Sequence, residues 1–174
     1  MPVRDRDGKT PRLAADAFVA TNAEVVGDVT MAERSSVWFS SLVRSNGAPV
    51  SLGIGTDVQD NSLVESLPGQ PVQLGNYVSL GHGATVRGSI LEDHVLIAMH
   101  AVVQPGCRIG TGTIIAANAT VPEGTVVPPG SLVVGDQGRI VRQTTEAERG
   151  RIGLTASHYM ELASQYREGI GRGH

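Results

Sequence analysis

Residues 97–121 read IAMHAVVQPGCRIGTGTIIAANATV, and Ile97, Val103, Ile109, Ile115 and Val121 return every six positions. The step continues through Val127 and Val133, and runs back through Leu91. Leu74, Leu80 and Val86 keep it, with one five-residue unit between Val86 and Leu91. Upstream it reappears at Val19, Val25, Met31, Val37 and Val43, and again at Leu52, Val58 and Val64. Four positions after most of these anchors stands a small or β-branched residue: Val78, Ala84, Val95, Ala101, Thr113, Ala119, Thr125 or Ser131. A step of six matches neither an alternating strand nor an amphipathic helix. It is the mark of a solenoid whose short strands turn at fixed intervals. Each hexapeptide supplies one face of a triangular prism, and three complete a coil of roughly 18 residues. Coils then stack as parallel ladders roughly 4.8 Å apart, with anchors and small residues pointing inward.

The register breaks twice, at SNGAP (45–49) and at SLPGQ (66–70). Insertions in a solenoid become loops on one face and often border a binding site. After Val133 the period ends. Thr145 and Glu148 fit a capping box. Ile152, Ala156, Tyr159, Met160, Ala163 and Tyr166 then follow at helical spacing. Gly150 and Gly153 weaken the start, so the firm helix is expected over 154–168, docked outside the prism with both tyrosines packing. The expected organisation is a β-helix over 1–142, with helix and tail at 143–174 as part of one domain.

Composition agrees with one narrow aliphatic core. Aromatic residues make up 3% of 174 residues, and the net charge of −3 gives no electrostatic reason for a nucleic-acid partner. The single cysteine, Cys107, excludes an internal disulfide and suits a reducing compartment. No apolar run has the length of a membrane span, and the N-terminus carries no leader-like segment, so a cytoplasmic protein is expected.

Four stretches carry a family resemblance: SSVWFSSLVRSN (35–46), GTDVQDNSLVES (55–66), LGNYVSLGHGATVRGS (74–89) and TASHYMELASQYR (155–167). Together they resemble the γ-class carbonic anhydrases over roughly residues 12–168. The resemblance implies a left-handed β-helix, a homotrimer, and zinc sites between subunits. There two histidines of one chain and one of its neighbour would hold the metal, leaving a position for an ionisable water. Carried over by position, the ligand set is incomplete. His82 matches one histidine, but Glu65 and Arg87 stand at the other two positions. Arg44, Ser45 and Asn46 replace an arginine–glycine–aspartate, and Gln59–Asp60 keep the family's QD pair. In the family that arginine and aspartate join subunits, which implies an Arg44–Asp60 interface pair.

A guanidinium is always protonated and has no lone pair to give a cation. No metal is therefore expected, with Glu65 and His82 the ligands if one binds. His94 and His100, at the fourth place of their hexapeptides, are expected to face away. Glu65 and Arg87 would instead pair directly, with His82 of a neighbour completing a polar cluster. The cluster would serve structure, small-molecule binding at the interface, or a different acid–base chemistry. Zinc-dependent activity through atypical ligands, and acyl transfer or thioester hydrolysis with His82 as base, stand as alternatives.

Overall fold

The computed structural model describes residues 2–170. The chain winds about seven turns of a left-handed parallel β-helix whose strands line up in three sheets. The first sheet contains Val3–Arg4, Glu24–Val26, Leu42–Arg44, Leu63–Glu65, Thr85–Arg87, Val102–Val103 and Thr120–Val121. The second runs from Arg12–Leu13 through Val29–Met31, Val50–Leu52, Val72–Leu74, Ile90–Leu91 and Arg108–Ile109 to Val126–Val127. The third comprises Phe18–Val19, Ser36–Val37, Asp57–Val58, Ser79–Leu80, Leu96–Ile97, Ile114–Ile115 and Ser131–Val134. It ends in an antiparallel partner, Arg139–Gln143, so the final hairpin closes one end of the prism.

The six-residue step becomes a register. Ile97 pairs with Ile115 and Val103 with Val121, each 18 residues on, so like side chains stack inside. The anchors are buried except Val19, which lies in the first coil and lacks a coil beyond it to cover its outer side. Each fully buried aliphatic contributes on the order of 2 kcal/mol, and the ladder repeats that gain coil after coil. The two longer segments leave the ladder at the same corner, between the first and second sheets. There Ser66 Oγ donates to Ala48 O at 2.5 Å and accepts from Asn46 N at 2.8 Å, tying one loop to the other.

Helix α1 (Glu146–Ile170) lies across the third sheet. It begins eight residues before the expected start of 154, despite Gly150 and Gly153. The capping box is fully formed: Thr145 N donates to Glu148 Oε2 at 2.8 Å, and Glu148 N donates to Thr145 Oγ1 at 3.2 Å. Burial of Ile152 and Ala156 then outweighs the glycine propensity penalty. Phe18, Trp38, Phe39, Tyr159 and Tyr166 gather beneath and beside this helix, with Trp38 5.4 Å from each tyrosine ring. The prism interior is aliphatic, and the aromatics cement the helix to its outside.

Candidate functional site

Three outward side chains on the first sheet meet because their strands are in register. Val43, Val64 and Val86 point inward, so the residues on either side of each point out. Glu65 pairs in the ladder with Arg44 on one side and Arg87 on the other. Their side chains follow: Arg87 Nε donates to Glu65 Oε2 at 3.1 Å, and Arg44 Nη2 donates to Oε1. Glu65 is nearly covered, its side chain 8% exposed, whereas both arginines are 37% exposed. Burial pushes the Glu65 carboxyl upward, but the hydrogen bonds and charges of Arg44 and Arg87 outweigh it and hold it below its usual range.

His82 lies at the other edge of the same face, in the turn that leads into Thr85–Arg87. It does not meet Glu65 or Arg87 within the chain. Its Nδ1 stands 3.0 Å from Asp60 Oδ2, and its Nε2 3.4 Å from the Tyr159 hydroxyl. Burial, with Asp57 and Asp60 nearby, pushes the Tyr159 phenol up to about 12, so it keeps its proton at neutral pH. Gly83 beside His82 suits the corner on two counts. Its φ is +69°, and a Cβ would lie 2.4 Å from His100 Nδ1. His94 and His100 occupy corner positions with φ of 55° and 59°, clear of the ladder.

The four residues expected at a subunit interface have the following partners within the chain. Within the chain Arg44 reaches Glu65, because the insertion lengthens the coil just enough to bring residue 65 into register with residue 44. Asp60 turns to His82. Asn46 accepts from Arg6 Nη2 at 3.0 Å, on the loop corner. Gln59 donates to Asp57 at 2.9 Å under α1. Asp57 itself was not singled out from the sequence. It is buried between Ser36 and Ser79 in register, and Ser79 donates to it at 2.6 Å. An acidic residue at the outward place of a two-residue strand was the available signal.

Relatives of known description share this architecture. Residues 88–123 match the model described as bacterial transferase hexapeptide (six repeats). The "Probable carbonic anhydrase" of Methanocaldococcus jannaschii is 41% identical over 151 residues, covering 87% of this chain and 95% of the relative. The chain belongs to the γ-class carbonic anhydrase family. "Gamma carbonic anhydrase 1, mitochondrial" of Arabidopsis thaliana is 35% identical over 91% of the chain, which spans 60% of that relative's length. Among solved structures, a hexapeptide transferase family protein from Anaplasma phagocytophilum superposes with a TM-score of 0.90 at 26% identity, covering 94% of this chain and 97% of that one.

Relatives in this family usually use zinc or iron, and the Glu65–Arg87 pair does not supply the imidazoles that the resemblance implies at those two positions. Among the described residues, no three His, Cys, Asp or Glu side chains gather as a metal site within the chain. Glu65 already gives both oxygens to guanidiniums, and Arg87 places positive charge where a neutral lone pair is needed. His82 keeps one feature of a ligand histidine, a carboxylate beside one ring nitrogen, while the other nitrogen faces the Tyr159 hydroxyl.

Proposed function

We propose that this chain is a metal-free γ-class carbonic anhydrase homologue that forms a homotrimer and lacks zinc-dependent hydration of carbon dioxide. The single observation that carries this reading is the Arg87–Glu65 contact at 3.1 Å, an ion pair standing where two metal ligands belong. The polar cluster then joins subunits and lines a cleft for a small molecule.

The trimer is supported by the three prism faces. Helix α1 covers the third. The second presents a mostly polar row, Arg12, Thr30, Ser51, Gln73 and Arg108, with Ile90 and the exposed Val126 in the same register. The first presents Leu42, Leu63, Thr85 and Val102 in register beside the charged ladder, a largely apolar strip suited to burial against another copy. One edge of that face carries two arginines and one glutamate, the other Asp60 with His82. Edges of opposite sign on one face favour a head-to-tail contact that closes into a ring. The lone thiol of Cys107, buried in the core, suits a reducing cytoplasm. No helix among the described residues is long and apolar enough to cross a membrane.

The test is metal analysis of protein purified without chelator, alongside carbon dioxide hydration with and without added zinc. Substoichiometric metal and no rescue by zinc are expected. Stoichiometric zinc per subunit would sink the reading. The double variant Glu65→His, Arg87→His should regain stoichiometric zinc, because His82 and its Asp60 partner are already in place. The retained Asp60–His82 pair is also what favours the second reading, a metal enzyme with Glu65 and His82 as atypical ligands.

A further inference from the structure

We propose that the free edge of Arg87 binds a small monocarboxylate. This deepens the metal-free reading and rests on it, since it gives the guanidinium a task in the cleft. Two guanidiniums share one carboxylate in the ladder, so the cluster carries a surplus positive charge. Glu65 has nothing further to offer, with Oε1 engaged by Arg44 and Oε2 by Arg87. A guanidinium has five N–H donors in a planar fork. Among the described residues Arg87 uses only Nε, and Arg44 Nε is buried without a partner.

The geometry selects the ligand. Glu65 grips Arg87 through Nε, which leaves the edge formed by its two terminal nitrogens free. Two parallel N–H groups on that edge match the two oxygens of a carboxylate. Because Glu65 already holds the side chain, little rotamer freedom remains to be lost on binding. The surplus calls for a monoanion rather than a phosphate dianion. A small monocarboxylate is the simplest ligand of that charge and shape. The rival occupant is a carboxylate of the protein itself, Asp60 of a neighbouring copy in the proposed trimer.

Acetate is the probe, titrated by calorimetry into the full chain against chloride at equal ionic strength, with zinc measured on the same preparation. Saturable one-to-one binding is expected, at least tenfold tighter than inorganic phosphate. Arg87→Gln should weaken acetate at least tenfold. Arg87→Lys, which keeps the charge and loses the fork, should weaken it several-fold, and circular dichroism confirms that both variants fold. Absent binding, or equal binding by folded Arg87→Gln, overturns the proposal. So does acetate binding that emerges only in Asp60→Asn, which would identify Asp60 as the occupant. Stoichiometric zinc overturns the metal-free reading and this one with it, whereas zinc-free protein that ignores acetate overturns this one alone.

Discussion

Glu65 and Asp57 stand on adjoining faces of one prism, 6% and 1% exposed, and the fold treats their charges in opposite ways. Glu65 is flanked in register by Arg44 and Arg87, and its carboxyl is held below the usual range although burial works against it. Asp57 is flanked by Ser36 and Ser79, and its hydrogen bonds come from the neutral Ser79 and Gln59. Burial beneath α1 therefore dominates and lifts it to about 7. Neutral donors satisfy the geometry of a buried carboxylate without compensating its charge. The open face keeps an ionised acid at neutral pH, and the covered face keeps one close to neutrality.

The largest effect expected from breaking this contrast is at Asp57. Its folded pKa of about 7 lies above the ordinary value of 3.8, so protonated Asp57 carries no penalty in acid. As pH rises from 3.8 through 7, the unfolded chain ionises freely while the folded site resists, and stability is lost. Asp57→Asn should stabilise the protein by about 3 kcal/mol at pH 8, with the gain vanishing near pH 4. Urea unfolding at the two pH values measures it. A gain of equal size at both would mean that charge is not the cause.

Glu65 reverses the sign with a smaller magnitude. Its folded pKa lies below the ordinary 4.5, so its contribution is complete above that value and drains away as pH falls through the folded one. Glu65→Ala should cost about 2 kcal/mol at pH 7, less than a fully buried pair because the guanidiniums stay partly solvated. The variant should also lose part of the acid limb of the stability curve. Identical acid unfolding of variant and parent would show that the ladder contributes nothing as an ion pair.

The two carboxylates also mark how far the sequence could be read. The six-residue step is a property of local residue choice, so the coils, the core anchors and the corner of both loops were legible from it. Glu65 and Arg87 were legible as a pair because the family places their positions around one metal. The contact of Arg44 with Glu65 inside the chain was not read from the sequence, since the family resemblance drew attention to Arg44 only as a partner for a neighbouring subunit. Asp57 escaped because its burial is caused by α1, an element almost a hundred residues later in the chain. The helix start was missed for a related reason: local glycine propensity argued against it, and distant packing decided it.

The smallest effect concerns Tyr159, which touches both stories by reaching from α1 to His82. Its ring packs edge-on against Trp38 at 5.4 Å, a contact that phenylalanine would keep. Its hydroxyl lies 3.4 Å from His82 Nε2, long for a hydrogen bond. Tyr159→Phe should therefore cost only about 0.5 kcal/mol. The imidazole tautomer is the sharper readout. Asp60 Oδ2 stands 3.0 Å from Nδ1, a placement that favours a proton there and so leaves the lone pair on Nε2. Nitrogen NMR of His82 should find the proton still on Nδ1 in Tyr159→Phe. A proton that moves to Nε2 would make the phenol, not Asp60, the group that orients the ring. It would also tie the chemistry of the open face to the helix that covers the other one.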